Sequence, residues 1–259
     1  MHQGAWIVWV LCAGAVAIST TNPFYLVCLV AVAFAVHAAR HRAGGHERAF
    51  RMFLAFGAVA IVTRTALVVF GPVSPGAVAA AALEGARLAA MLALFGTFNS
   101  VTDPFRVLKL APRRFHEPAL AGALALSIAP RMIDSVARVR DAQRARGIRI
   151  GRLRALPALA VPVLEIGMEE AVTLAESMDA RGHGRGPRSR YRPERWGPAG
   201  WTTVIASATA LAAFVAAATA GSGDLAVSTV PLRWPDVSLA LVAATVILAA
   251  PAFAGEDRA

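Results

Sequence analysis

The chain has 259 residues, of which 57% are hydrophobic and 16% charged, with a mean hydropathy of +0.56. Soluble domains carry roughly 45–50% apolar and roughly 25% charged residues; that excludes an ordinary globular domain, and the long apolar blocks read as spans crossing a bilayer. The formal net charge of +10 is concentrated, with 18 of 26 Lys+Arg and 10 of 16 acids lying between residues 100 and 195. Such a mixed-charge helical block inside an apolar chain argues against a nucleic-acid partner and for docking to the bilayer surface or to another protein.

In chain order, a first span is predicted at 6–19, short for a bilayer. Thr20-Thr21-Asn22-Pro23 is a turn signal, and a second span follows at 24–38. The stretch 37–51 sets Arg40, Arg42, Arg48 and Arg51 against the single acid Glu47. A third span at 53–70, an uncharged Gly/Pro turn at 71–76 and a fourth span at 77–98 come next. The positive-inside rule makes the arginine-rich loop cytoplasmic and the 71–76 turn external, so the N-terminus lies inside and the chain re-enters the cytoplasm near Ser100. A fifth span at 201–220 and a sixth at 237–253 flank an external loop holding Asp224, Arg233 and Asp236, which leaves the C-terminus inside. No charged leader with a small-residue cleavage site precedes the first apolar block, which is therefore expected to stay as an anchor. The expected fold is all-α, a multi-pass cell-membrane protein of about six transmembrane helices plus long cytoplasmic amphipathic helices. It divides into a four-span region at 1–99, a cytoplasmic module at 100–198 and a two-span region at 199–259.

In the module, Asp103-Pro104 opens a short helix, because aspartate caps free amides and proline suits a first turn. A long amphipathic helix is predicted at 117–146, with Leu126, Ala129, Ile133, Val136 and Ala137 on its apolar stripe. Arg131, Asp134, Arg138, Asp141 and Arg144 take the other face, while 119–129 is apolar nearly all round and is expected to dip into the membrane or lie under the spans. A second long helix is predicted at 153–181, kinked by Pro157 and Pro162. Its stripe is Leu164, Met168, Ala171, Val172, Ala175 and Met178, with Glu165, Glu169, Glu176 and Asp179 facing elsewhere. Only 184–200, rich in Gly, Pro and Arg, reads as a linker.

Both long helices end in the same tripeptide, Ala145-Arg146-Gly147 and Ala180-Arg181-Gly182, with the arginines 35 positions apart. Glycine just past a helix end adopts the left-handed cap, arginine in the last turn is favoured by the helix dipole, and alanine lets another surface approach. The product is a guanidinium on a rigid rod, suited to carboxylates or carbonyls in a partner's groove.

These motifs carry a family resemblance. The run Asp141-Ala142-Gln143-Arg144-Ala145-Arg146-Gly147 resembles the first Ala-Arg-Gly signature of the transmembrane T subunits of energy-coupling factor transporters, the CbiQ/EcfT family. Ser177-Met178-Asp179-Ala180-Arg181-Gly182 resembles the second, with Asp179 where glutamate is common. Pro162-Val163-Leu164 and Asp103-Pro104-Phe105 are similar to the family as well. The resemblance implies that the two long helices are crossing coupling helices. It implies that Arg146 and Arg181 dock into two ABC-type ATPases, with Ala145, Gly147, Ala180 and Gly182 shaping the docking knobs. The stripes, with Leu126, Ile133, Val136, Leu164, Met168 and Val172, are then the platform for a small membrane subunit that binds a vitamin or a transition-metal ion. No cofactor is expected in this chain. A Walker loop needs Gly-Lys-Ser/Thr, and the only lysine, Lys109, sits between leucines, so ATP would be bound by the partners.

Other chemistry is less marked. Arg64, Glu84 and Arg87 fall inside predicted spans, where charges merit a functional reading as an ion or substrate path. That reading belongs to a stand-alone secondary transporter or a membrane enzyme; the plainer one is span packing, with Glu84 and Arg87 three apart and able to pair. No internal repeat, Ser-His-Asp set or Gly-x-Ser-x-Gly elbow accompanies them, and no further aspartates continue from Asp179 at the metal spacing of phosphatidyl-transferase-like enzymes. His37, His41 and His46 read as a helix end among arginines, not as metal ligands, and Cys12 and Cys28 as small apolar residues of the spans.

Overall fold

The computed structural model describes residues 2–40, 46–71, 74–147, 155–186, 196–228 and 233–254. Among these the fold is all-α, and the chain divides into two compact units, 1–110 with 194–259, and 111–193.

The first unit holds α1 (Gln3–Ser19), α2 (Pro23–Arg40), α3 (His46–Ala66), α4 (Pro75–Val101), α5 (Pro104–Lys109), α8 (Pro198–Thr219), α9 (Leu239–Ile247) and α10 (Ala250–Phe253). Local chemistry sets the starts. Prolines open α2, α4, α5 and α8, where a missing N–H costs nothing. Side chains of His2, Asn22, Ser74 and Asp103 accept from free amides of the first turns. The bundle core is built on Trp9, Tyr25, Leu29, Leu94, Phe214, Leu241 and Leu248, all fully buried. Helix α1 packs on α4 and α8, α2 on α4 and α9, and α8 on α9 and α10.

Polar groups inside this core are mostly paired through the backbone; the exception among the described residues is Gln3 Oε1, buried with no hydrogen-bond partner. Thr97 Oγ1 shares its proton between Ala93 O at 2.9 Å and Ala33 O at 3.0 Å, tying α4 to α2. Buried Asn22 donates from its Nδ2 to Asp224 O at 2.8 Å, and Thr20 Oγ1 donates to Leu225 O at 2.8 Å, so the α1–α2 turn is stitched to the segment after α8. Such pairing is close to obligatory where water is absent.

Two spans differ from the sequence reading. Helix α3 starts at His46 and so absorbs Arg48 and Arg51, then closes in a 3-10 turn at Leu67–Phe70. The sixth span is broken into α9 and α10 because Pro251 has no N–H and its ring clashes with the carbonyl four residues back. The break is used: Trp9 Nε1 donates to the freed Leu248 O at 2.8 Å, and Arg40 Nε donates to Pro251 O at 2.9 Å. By length and composition, five helices among the described residues can cross a membrane: α2, α3, α4, α8 and, in the second unit, the helix at Glu117–Ala145. That last helix was read above as cytoplasmic with an apolar N-terminal half. Helix α1, at 17 residues, and α9, at 9, are shorter.

Helices α3 and α4 approach through small residues. A Cβ built on Gly85 would lie 2.7 Å from Ile61 Cα, on Gly57 3.1 Å from Ala89 Cβ, and on Gly96 2.9 Å from Phe53 Cβ. Close backbone approach of this kind replaces the hydrophobic effect as the glue between helices in lipid. Gly85→Leu should therefore force the pair apart at a cost of about 1–3 kcal/mol or more. The midpoint of thermal unfolding in detergent should fall accordingly.

Candidate functional site

The second unit is built on α6 (His116–Ala145) and α7 (Ala155–Ala180). Pro130 and Pro162 lie within the helices, whereas Pro157 falls in the first turn of α7, where proline is tolerated.

Both helices stop as their glycines dictate. Gly147 has φ +74° and Gly182 has φ +76°, left-handed values that other residues adopt only at a cost. Gly182 N donates to Asp179 O at 2.8 Å and His183 N to Met178 O at 2.9 Å, which together make a full Schellman cap. At the other end Gly147 N donates to Arg144 O at 3.0 Å, the matching bond.

Each cap also presents its arginine free. Arg146 and Arg181 are exposed, and among the described residues their side chains have no hydrogen bond or ion pair. The nearby acids are engaged by different arginines: Asp141 by Arg144 at 3.6 Å and Asp179 by Arg185 at 3.2 Å. Exposed pairs like these add little stability, but they keep the local carboxylates off the motif arginines.

The helices pack on each other at Gly167, where an added Cβ would lie 3.1 Å from Met132 Sδ. Arg146 follows Met132 by 14 residues and Arg181 follows Gly167 by 14, so the two arginines are equally far from this contact. At 1.5 Å per residue each lies about 21 Å beyond it along its helix.

The packed faces are not the predicted stripes. On α6 the covered residues are Ile128, Met132, Ser135 and Val139, and on α7 Val163, Ile166, Gly167, Glu170 and Leu174. Buried Ser135 donates to Arg131 O at 3.0 Å and accepts from Arg138 Nη2 at 2.7 Å, and Glu170 Oε2 is buried with no hydrogen-bond partner among the described residues. The predicted stripes stay open: Ile133 is 71% exposed, Met168 70%, Leu164 64% and Val172 57%, with Leu126 and Val136 near 40%. Gly167 decides the outcome, since close approach favours the face without a side chain.

The intramembrane charges in the first unit also pair differently from the reading above. Glu84 bonds Arg64 of α3, not Arg87 of its own helix. His37 stacks on Phe50 with ring centres 3.7 Å apart and shares a 2.9 Å bond from Nδ1 to Ser100 Oγ, a structural role tying α2 to α3 and α4. His41 and the side chain of His46 lie outside the described residues.

A chain that is all-helical among the described residues, with several helices long and apolar enough to cross a membrane, is a multi-pass membrane protein. It belongs to the CbiQ family of cobalt transport proteins, whose sequence profile matches residues 3–191. Among curated proteins it is similar to the energy-coupling factor transporter transmembrane protein EcfT of Thermanaerovibrio acidaminovorans, 32% identical over 48% of this chain and 52% of the relative. The protein of the same name from Listeria innocua is 34% identical over 38% of each chain, and that from Bacillus selenitireducens 34% over 42% of this chain and 45% of the relative. The chain thus spans about half the length of these relatives, or less.

A Cβ at Gly147 meets nothing within 4 Å, and one at Gly182 meets only Arg185 Cδ at 4.0 Å. Alanine at either position should thus cost only backbone strain, about 1 kcal/mol. Hydrogen exchange should quicken in the last turn of the altered helix alone, with the α6–α7 contact unchanged.

Proposed function

We propose that this chain is the transmembrane coupling subunit of an energy-coupling factor importer. It sits in the cell membrane with both termini in the cytoplasm and passes the motion of two ABC-type ATPases to a small membrane subunit that binds a vitamin or metal ion. The chain itself is not an enzyme: ATP is bound and hydrolysed by the partners. Arg146 and Arg181 enter the ATPase grooves, with Ala145, Gly147, Ala180 and Gly182 as the close-fitting knobs around them. The exposed faces bearing Leu126, Ile133, Val136, Leu164, Met168 and Val172 carry the substrate-binding subunit.

One observation carries this reading: two caps, each built on a left-handed glycine, leave one guanidinium apiece unpaired among the described residues, at equal distances from the Gly167–Met132 contact. Helix-terminal arginines that are exposed and already screened from local acids are poised for a carboxylate or carbonyl elsewhere. The apolar faces left open on α6 and α7 are further support, because patches of this kind mark protein or membrane contacts.

Arg146→Glu or Arg181→Glu should each weaken ATPase recovery in a detergent pull-down or uncouple hydrolysis from uptake, and the double variant should abolish transport. Wild-type uptake by the double variant would overturn the mechanism. Separately, Ile133→Asp or Met168→Asp should release the small membrane subunit while the ATPases still co-purify. Undiminished recovery of that subunit would remove these faces from the interface.

A further inference from the structure

Helix α4 carries a charge that no described residue neutralises. Glu84 is taken by Arg64, and among the described residues no hydrogen bond or ion pair reaches Arg87, which is half-buried. Arg64, Glu84 and Arg87 together leave the α3–α4 pair with one uncompensated positive charge inside its apolar length.

Arg87 lies 12 residues from Pro75 and 14 from Val101, about 18 Å and 21 Å along the helix. A hydrocarbon core is about 30 Å thick, so this is its middle. Arginines near helix ends reach the headgroups by snorkelling; one at the midpoint is beyond the phosphates of both leaflets. A second copy of this chain would bring the same surplus and double it. What remains is an acidic side chain at matching depth on another membrane protein.

The surroundings suit a helix. Leu88 and Phe95 of α4 are 41% and 48% exposed, and Phe56, Val59 and Val62 of α3 all exceed half. Helix α3 packs mainly on α4, so this pair offers apolar flanks on which a further helix can lie.

We propose that Arg87 is a recognition point within the bilayer, receiving the carboxylate of a transmembrane Asp or Glu from a partner chain. The ion pair is formed in a low-dielectric setting, where like charges are strongly rejected and a matching acid fixes register. Recognition at this depth goes beyond the ATPase-docking role and holds whether or not α6 and α7 bind ATPases.

The test uses the complex purified in mild detergent from its own host through a tag on this chain. Wild type, Arg87→Lys, Arg87→Leu and Arg87→Glu are compared for the amount of integral membrane partner per tagged chain, with ATPase recovery followed in the same samples. Arg87→Lys should retain the partner, and Arg87→Glu should lose it by about tenfold or more, the order expected for a broken buried charge pair. Arg87→Leu removes an unpaired charge, so the isolated variant should melt no lower than wild type and still lose the partner. Replacing the partner's mid-span carboxylate by arginine should restore binding to Arg87→Glu. The proposal is overturned by equal recovery with Arg87→Glu, by a partner with no mid-span acid, or by a charge swap that restores nothing. Labelling of Arg87→Cys in the assembled complex by a membrane-impermeant thiol reagent, with Cys12 and Cys28 replaced, would instead place water beside the helix and would also overturn it. Absence of ATPases from the wild-type complex would count against the coupling role and leave Arg87 untouched.

Discussion

In a hydrocarbon solvent every buried amide and carbonyl must find its partner inside the protein, and the bundle of this chain is organised by that requirement. Where α2 begins, Asn22 caps it and holds Asp224 O. Where Pro251 breaks the last helix, the indole of Trp9 takes the freed carbonyl across 239 residues of sequence. Thr97 and Ser100, fully buried on α4, return their protons to backbone oxygens and link the helix to α2 through Ala33 and His37. Asn22 and Trp9 answer breaks in helical pairing, Thr97 and Ser100 join intact helices, and these bonds help fix which helices are neighbours.

Charge follows a second rule. Pairs that close within the chain, Arg64 with Glu84, Asp141 with Arg144 and Asp179 with Arg185, leave other groups unanswered among the described residues: the side chains of Arg87, Arg146 and Arg181 and the buried Glu170 oxygen. Unpaired charge is expensive where water is scarce. The same pattern recurs at both helix caps and in the α3–α4 pair, with the nearest acid occupied by one arginine and a second left over. This is the character expected of the coupling subunit proposed above, and it agrees with the open apolar faces of α6 and α7.

Much of this was legible in the sequence because it is local. Pro and Asp or Asn mark the starts of α2 and α5, and Gly147 and Gly182 mark ends whose left-handed φ follows from having no side chain. Periodicity could not choose the packed face of α6, since Leu126 and Ile133 are as apolar as Ile128 and Met132. The choice rests on Gly167 meeting Met132, a contact between residues 35 apart. Ser135 and Glu170, polar residues on the covered faces, run against the pattern and could not be assigned from it. The Arg64–Glu84 pair was hidden for the same reason: spacing of three along one helix pointed to Arg87, and only the antiparallel neighbour brings Arg64 closer. Pro251 did carry the signal for the broken last span, though composition alone reads straight through it.

The contact between Gly167 and Met132 has a mechanical meaning. Without a side chain at Gly167 and with a flexible thioether opposite, the two rods meet at a small, smooth bearing. Because Arg146 and Arg181 stand 14 residues beyond it on their own helices, the arms from this contact to the two arginines are equal. For arms of about 21 Å, a change of about 10° in the crossing angle carries one tip about 3–4 Å relative to the other. In the proposed coupling role, equal arms would let one change in the angle between the helices move both arginines by the same amount.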